Sequence, residues 1–257
     1  MAIDFHARAN RGTYADRCAS TVWAEAIRHL VDPTGKRVAD IGCGGGIYSR
    51  MWHEIGAGEV TGVDFSAEMV GAAREQAAGL PLVSFRQGDA AATGLPSGSV
   101  EVVFQRALIH HLKDYEACFA EARRLLVPGG RLIVQDRTPA DVELPGSPDH
   151  IRGYFFERFP RLLAVETGRR PTDAAVRRAL LAAGFGEIDS ATLWEVRKVY
   201  PSVEHLKRDL AARTGRSILH ELDDGELADL ISYIVAQLPA GGTVVETDRW
   251  TLWSATA

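Results

Sequence analysis

Cysteine is scarce in this sequence, and its three positions are too far apart to hold a metal. Cys18, Cys43 and Cys118 are the only ones in 257 residues, and no pair has the short spacing of metal ligands. A sparse, odd number of cysteines is typical of a reducing compartment. The sequence therefore predicts a cytoplasmic protein without a metal site.

Long apolar runs and a basic surplus are also missing. No stretch approaches the roughly 18–20 apolar residues of a membrane-spanning helix, and residues 1–8 (MAIDFHAR) lack the apolar core of a signal peptide. The net charge is −5, whereas a dominant nucleic-acid contact normally requires a cationic surface. We expect neither a membrane nor a nucleic acid as partner, and the composition indicates no oligomeric state.

The first half of the chain alternates short apolar strands with helical patterns. Strands are predicted over residues 37–41, 59–64, 82–86, 100–104 and 131–135. Helices are predicted over residues 18–31, from 47 onward, over 66–78 with Ser66 as N-cap, and over 115–126, where the Pro-Gly-Gly of residues 128–130 is a stop signal. This alternation predicts an α/β fold, in which a parallel sheet is covered by helices on both faces.

The second half of the chain lacks this regular alternation of strands and helices. Prolines, glycines and the aromatic residues 154–156 (YFF) occur over residues 137–170, which we interpret as a long loop after the fifth strand. The other predicted elements are a helix over 172–183, a sixth strand over 186–200, two helical pieces over 202–238 and a seventh strand over 243–253. No linker divides the chain, so a single domain with a helical cap insertion is predicted.

A glycine-rich turn follows the first predicted strand and precedes a helix. Gly42, Gly44, Gly45 and Gly46 would let the backbone approach a ligand closely, and the helix N-terminus would supply free N–H groups. Asp64 lies about 20 residues further on, at the end of the second strand, where a carboxylate can hold both ribose hydroxyls. The pattern indicates a ligand that contains a nucleoside.

Two details argue against a dinucleotide as that ligand. A dinucleotide fingerprint requires a third glycine, but counting from Gly42 places Ile47 there, and counting from Gly44 places Ser49 there. Asp40 lies just before the turn, where its charge would repel a pyrophosphate but would suit a cationic amine and sulfonium.

Five segments, in order, resemble the motifs of class I S-adenosylmethionine-dependent methyltransferases. They are residues 38–46 (VADIGCGGG), 63–64 (VD), 88–90 (GDA), 100–105 (VEVVFQ) with 108–112 (LIHHL), and 125–132 (LLVPGGRL). The resemblance covers about residues 35–136. Within the family, the sequence is similar to the small-molecule "type 11" branch, which includes quinone-biosynthesis enzymes. It implies a Rossmann-like, doubly wound seven-stranded sheet, mostly parallel with a reversed last strand.

The resemblance also implies S-adenosylmethionine as cofactor and assigns roles to matching residues. They are Asp40 and the Gly42 backbone at the methionine part, Gly44 in the same turn, Asp64 at the ribose, Phe65 against the adenine, Asp89 and the Ala90 backbone at the adenine edge, Gln105 near the methionyl amine, and Tyr14 in an N-terminal flap.

The predicted acceptor is a small molecule. Residues 105–106 (QR) do not form a tetrapeptide typical of enzymes that methylate adenine or cytosine nitrogens. Because open α/β sheets bind ligands at the carboxyl ends of their strands, Arg106, His110, His111, Asp136 and Arg137 are expected near the reaction. His110 and Asp136 are the candidate catalytic residues, with His110 as general base. The alternatives are that the histidines cap or pack, and that Asp136 forms a structural ion pair with Arg137 or another cation.

The predicted domain covers residues 1–257, with an N-terminal flap and helix over 1–32 and candidate substrate lids over 137–170 and 201–240. Within the first lid, His150, Arg152 and Tyr154 are candidate lining residues.

Three function classes remain open on sequence alone. The leading one is methyl transfer to oxygen, carbon or nitrogen of a small molecule by in-line displacement. The others are a non-catalytic S-adenosylmethionine-binding protein of the same fold and an oxidoreductase with a nucleotide cofactor.

Overall fold

The computed structural model of the chain describes residues 21–257, so Tyr14 lies outside the described residues. The strands are β1 (Arg37–Ile41), β2 (Glu59–Asp64), β3 (Val83–Gln87), β4 (Val100–Arg106), β5 (Leu126–Asp136), β6 (Gly186–Tyr200) and β7 (Val244–Thr256). The α-helices are α1 (Thr21–Leu30), α2 (Ile47–Glu54), α3 (Ala67–Gln76), α4 (Tyr115–Leu125), α5 (Pro139–Val142), α6 (Ile151–Arg158), α7 (Arg161–Gly168), α8 (Asp173–Ala182), α9 (Val203–Ala211) and α10 (Asp224–Gln237).

All seven strands form one sheet in the order β3-β2-β1-β4-β5-β7-β6. Strands β1 to β5 pair in parallel, and β7 enters antiparallel between β5 and β6. The predicted fold class, with its reversed last strand, is therefore confirmed. In this order the carboxyl ends of β1, β2, β4 and β5 meet at one edge of the sheet. The strand order reverses between β1 and β4, which is the topological switch point where open α/β sheets bind ligands.

Each face of the sheet has its own apolar core. Trp23 of α1, Trp52 of α2 and Phe104 of β4 are fully buried on one face, with ring centroids 5.6–5.7 Å apart in edge-on contacts. Phe119 of α4 and Trp253 of β7 are fully buried on the other face. Local signals agree with these layers, because the Ser66 hydroxyl accepts the Met69 N–H and caps α3 as predicted.

The fifth strand begins earlier than its sequence indicates. A stop at the Pro-Gly-Gly of residues 128–130 was the expectation, but β5 already pairs with β4 before them. Val100 lies opposite Leu126 and Val102 lies opposite Arg131, so the intervening residues bulge out of the ladder. Pro128 and the two glycines after it interrupt the register and leave the strand itself intact.

The interpretation of residues 137–170 as a long loop is wrong. That segment folds into α5, α6 and α7, which pack with α9, α10 and the ends of β6 and β7; we call this assembly the cap. Tyr154, Phe155 and Phe156 lie in α6 and belong to the cap's separate apolar core. Apolar burial therefore fixes short helices that proline and glycine appeared to exclude. Among residues 21–257, no helix is both long and apolar enough to cross a bilayer.

Candidate active site

The turn between β1 and α2 has a backbone that only glycine adopts readily. Gly42, Gly44 and Gly46 have φ angles of 77°, 52° and 76°, in the left-handed region. A Cβ on Gly42 would lie 2.9 Å from a methyl carbon of Leu108, whereas a Cβ on Gly45 would meet nothing within 4 Å. The turn is thus packed on its inner side and presents bare backbone to open space on the other.

Asp64, the last residue of β2, is fixed against this turn. One carboxylate oxygen accepts the backbone N–H of Gly44 and the other that of Ser66, both at 2.9 Å. The side chain of the next residue, Phe65, is about half exposed (48%) and offers an apolar surface beside the acid. A carboxyl group and an aromatic face therefore lie together at the end of β2.

Asp40 is a buried acid at the end of β1. The Ser49 hydroxyl donates to its Oδ2 at 2.5 Å. Burial raises the pKa of Asp40 to about 7, and the nearby Asp64 adds to the increase, while the hydrogen bond from Ser49 and the charge of Arg106 oppose it. This carboxyl is consequently close to half-protonated near neutral pH, and a cation beside it would favour its ionised form.

Asp89 and Gln105 lie at the carboxyl ends of the two flanking strands. Asp89 follows β3, is exposed, and accepts the Ala91 N–H at 2.8 Å, which holds the adjoining Ala90 in a tight turn. Gln105 turns its side chain away from the edge, so that its amide nitrogen lies 3.2 Å from Cys118 Sγ and only its backbone faces neighbouring strands. The structure therefore gathers Asp40, Asp64, Asp89 and Gln105 along one edge of the sheet.

His110 and Asp136 contact each other at the same edge. His110 lies in a single 3₁₀ turn after β4, and Asp136 is the last residue of β5. The Nδ1 atom of His110 lies 2.8 and 2.9 Å from the two carboxylate oxygens of Asp136, and its backbone N–H lies 3.3 Å from one of them. Ala107, with φ at 50°, supplies the strained bend that turns the chain toward Asp136.

The surroundings of this pair fix its protonation. Burial lowers the pKa of His110, Arg170 lowers it further, and the Asp136 carboxylate opposes them. The burial of Asp136 is outweighed by His110 and Arg170, so the pKa of Asp136 is held well below its usual value. At neutral pH an ionised Asp136 therefore accepts the Nδ1–H of a neutral His110, which leaves the lone pair on Nε2. Among the described residues no group donates to Nε2.

Two arginines lie at the same edge, on the face of the sheet opposite His110 and Asp136. Arg106 donates to Glu195 at 2.8 Å, and Arg137 donates to Asp248 at 2.5 Å. Their guanidinium carbons lie 4.2 and 4.0 Å from the centroid of the Trp250 ring. The sequence left open an ion pair of Asp136 with Arg137 or another cation. Arg137 bonds Asp248 instead, and Asp136 pairs with Arg170, whose Nη1 lies 3.1 Å from Asp136 Oδ1.

Several charged residues of this region were missed by sequence reasoning. Glu195, Asp248 and Glu166 are nearly fully buried. Glu195 lies far along the chain from its partner Arg106, and Asp248 lies far from its partner Arg137. A local signal existed for Glu166, which pairs with Arg169 and Arg170, three and four residues further along the chain. The remaining contacts arise from the cap and the β6–β7 hairpin, whose placement requires the tertiary fold.

The other candidate lining residues are part of the cap interior. His150 caps the start of α6 and its Nδ1 contacts the Pro145 carbonyl oxygen at 3.0 Å. Arg152 bonds both Asp248 and Glu166, and Tyr154 packs in the cap core. Arg152 thus lies near the edge of the site, whereas Tyr154 faces away from it.

A glycine turn with a buried acid in front, an acid at the end of the next strand, and a seven-stranded sheet with a reversed β7 together define an S-adenosylmethionine-dependent methyltransferase. The site fits that cofactor, because the open side of Gly45 accommodates a ligand and Asp40 favours a cationic one. A family model described as a methyltransferase domain matches residues 39–134. The chain belongs to the class I S-adenosylmethionine-dependent methyltransferases, in their type 11 branch.

Relatives and solved structures agree with this assignment. The demethylmenaquinone methyltransferase of Thermus thermophilus is 31% identical over 200 residues, which are 77% of this chain and 81% of that protein. A ubiquinone biosynthesis O-methyltransferase of Xanthomonas axonopodis is 32% identical over 146 residues, 53% of this chain and 61% of that protein. The predicted enzyme class and cofactor are confirmed.

Two solved structures share the fold. A methyltransferase from Mesorhizobium loti superposes with a TM-score of 0.53 at 22% identity, covering 93% of this chain and 98% of that one. A phosphoethanolamine N-methyltransferase from Haemonchus contortus, solved with S-adenosylmethionine, superposes with a TM-score of 0.61 at 18% identity, covering 99% of this chain and 60% of that one.

Proposed function

We propose that the enzyme methylates a small-molecule acceptor whose nucleophilic atom loses a proton, and that His110 accepts that proton. The observation that carries the proposal is the contact of His110 Nδ1 with Asp136 at 2.8 Å, at the sheet edge that also bears the glycine turn. Relatives named for demethylmenaquinone, ubiquinone biosynthesis and phosphoethanolamine support a small molecule as acceptor. The methylated atom, oxygen, carbon or nitrogen, depends on the acceptor.

In this proposal, residues at the carboxyl ends of the first four strands bind the cofactor. We assign the methionine part to Asp40 and the backbone of the turn at Gly42 and Gly44, and the ribose hydroxyls to Asp64. The adenine ring would pack against Phe65, with its edge at Asp89 and Ala90, while the Gln105 backbone would lie near the amino group. When bound, S-adenosylmethionine supplies a methyl carbon activated by its sulfonium.

The remaining work is alignment and proton removal. In-line displacement needs the nucleophile fixed opposite the methyl carbon in a site that excludes water. His110 Nε2 is free to take the proton of the nucleophile as bonding proceeds. Asp136 is a positioning residue, because it holds the tautomer with the lone pair on Nε2 and stabilises the imidazolium that forms.

In this proposal the cap excludes water from the acceptor site. The candidate lids, residues 137–170 and 201–240, contribute α5 to α7, α9 and α10 to it. Arg152 and Glu166 of the cap form ion pairs that reach Asp248 and Arg170 at the edge of the site. These contacts support a cap that covers the acceptor.

The proposal predicts selective cofactor binding and transfer of label. In calorimetry, S-adenosylhomocysteine should bind and NAD should not, because the turn lacks the third glycine of a dinucleotide site. Incubation with methyl-labelled S-adenosylmethionine and a metabolite extract should give a labelled small molecule. Binding of NAD in place of S-adenosylhomocysteine would reject the cofactor assignment. Labelled protein or nucleic acid without a labelled metabolite would reject the acceptor class.

A pH dependence of cofactor affinity follows from Asp40. Its pKa is about 7, so it is mostly protonated at pH 6 and mostly ionised at pH 8. The cationic cofactor favours the ionised form, and binding should therefore weaken as pH falls through 7. We expect the Kd of S-adenosylmethionine to be roughly tenfold higher at pH 6 than at pH 8, the limit set by one titrating group.

The matched control is Asp40→Asn, which keeps the size of the side chain and removes its titration. Its affinity should be weaker at pH 8 and nearly independent of pH between 6 and 8. Of the two titratable neighbours of Asp40, Arg106 has a pKa that burial would lower but that Glu195 raises above its usual value, and both Arg106 and Asp64 are unchanged in the variant. A wild-type profile that is flat, or that persists in Asp40→Asn, would contradict the role of this carboxyl.

A further inference from the structure

Four arginines, three of them with buried side chains, and three buried carboxylates are packed together where β5, β7 and the cap meet. We call this group the arginine cluster; its members are Arg137, Arg152, Arg169, Arg170, Asp136, Glu166 and Asp248. Its contacts are Arg137 to Asp248 at 2.5 Å, Arg152 to Asp248 at 3.2 Å, Arg152 to Glu166 at 3.4 Å, Arg170 to Glu166 at 2.5 Å, Arg170 to Asp136 at 3.1 Å, and Arg169 to Glu166. Each carboxylate therefore serves two or three cationic or imidazole groups.

The arginine cluster lacks one negative charge. Four guanidinium groups face three carboxylates, and His110, which also bonds Asp136, is neutral at pH 7. Among residues 21–257, the neighbouring acids Glu246 and Asp209 do not supply the difference, since they are already bonded to Arg197 and Arg216. Burial lowers the pKa of Arg137 to about 9, and its neighbours Arg152 and Arg170 lower it further. Uncompensated charge in such an environment is costly, which calls for a counter-ion.

The arginine cluster also contains N–H donors from which a bound anion would accept hydrogen bonds. The Nε–H groups of Arg137, Arg169 and Arg170 are buried and have no acceptor within residues 21–257. The side chains of Arg137 and Arg170 are only 7% and 5% exposed, while that of Arg169 is 28% exposed. Arg169 therefore lies at the solvent side of the cluster, and the other two lie deeper, Arg170 against Asp136 and Arg137 against Asp248.

We propose that the arginine cluster binds an anionic oxygen group, a carboxylate or a phosphate, of the methyl acceptor. Guanidinium groups suit this chemistry because their N–H donors match two oxygens at once. Arg170 contacts Asp136, which in turn contacts the Nδ1 atom of His110, so the arginine cluster and the proposed base lie at the same edge of the sheet. The inference rests on the proposed function and names the class of its substrate.

Binding of simple anions tests the cluster independently of the acceptor. Inorganic phosphate and benzoate are titrated by calorimetry into the protein, with and without saturating S-adenosylhomocysteine. At least one of them should bind. Its affinity should fall at least tenfold in Arg169→Gln, which alters a partly exposed residue, and in Arg137→Gln. The control Arg158→Gln removes an exposed arginine of the cap that pairs with Asp229, and it should bind the anion as the wild type does.

The outcomes separate the two proposals. If the wild type binds an anion but does not bind S-adenosylhomocysteine, the proposed function alone is rejected. Failure of both anions to bind the wild type, or unchanged binding in Arg169→Gln and Arg137→Gln, would overturn the assignment of the cluster.

The labelled product provides a second, chemical test. Product formed from a metabolite extract should be retained on an anion exchanger at pH 7, and Arg169→Gln should form less of it at low acceptor concentration while its kcat changes little. Loss of retention after phosphatase treatment identifies a phosphate monoester, and unaltered retention excludes one. A labelled product that passes the exchanger unretained would overturn the inference.

Discussion

Replacing His110 with alanine should lower kcat for methyl transfer by about 10²- to 10⁴-fold, the range that a positioned general base contributes. The imidazole is neutral at pH 7 and its Nε2 faces no donor among the described residues, so its removal leaves the nucleophile without a proton acceptor. The Kd of S-adenosylhomocysteine should change little, because the hydrogen bonds of His110 go to Asp136 and not to the glycine turn. Single-turnover label transfer and calorimetry measure the two quantities.

The pH–rate profile distinguishes a base from a packing residue. Since burial lowers the pKa of His110, the wild-type kcat/KM for the acceptor, measured at saturating S-adenosylmethionine, should rise with pH through a midpoint below 6.5 and then level off. Asp136→Asn removes the carboxylate that opposes this decrease, so the midpoint should move to still lower pH while the plateau falls. A His110→Ala variant with a rate within about threefold of wild type, or an unmoved midpoint in Asp136→Asn, would leave His110 with only a structural role.

The half of the chain that carries the cofactor motifs was predictable because its signals are local. Strand β2 has the predicted bounds, as apolar residues end at Asp64 and a capped helix follows. The glycine turn reads correctly from sequence, since positive φ angles at Gly42, Gly44 and Gly46 leave few other residues possible. Even the contact of His110 with Asp136 follows from topology, once β4 and β5 are recognised as parallel neighbours.

The cap was poorly predicted for the opposite reason. Helices α5 to α7 are four to eight residues long, too short for a clear periodic pattern, and they are stable through packing against α10 and β7. The arginine cluster joins Arg137, Arg152 and Asp248, which are separated by up to 111 residues. Nothing in a local window indicates which acid will meet which arginine, so the acceptor side of the site could be found only in the folded chain.

Replacing Asp64 with alanine should raise the Kd of S-adenosylhomocysteine at least about 100-fold. In the proposed role the carboxylate accepts hydrogen bonds from two ribose hydroxyls, and charge-assisted bonds contribute about 1.5–3 kcal/mol each. The same oxygens hold the N–H groups of Gly44 and Ser66, so the variant also loosens the turn that receives the cofactor. Calorimetric titration gives the affinity, and a thermal melt shows whether the fold persists.

Two further variants separate ribose binding from support of the turn. Asp64→Asn keeps an oxygen that can accept a backbone N–H but lacks the charge, so its affinity should lie between those of the wild type and Asp64→Ala. Glu59→Ala alters an exposed acid at the opposite end of the same strand and should bind as the wild type does. An undiminished affinity in Asp64→Ala would reject the ribose role. Equal losses in the alanine and asparagine variants would indicate that charge, rather than the geometry of the turn, accounts for the effect.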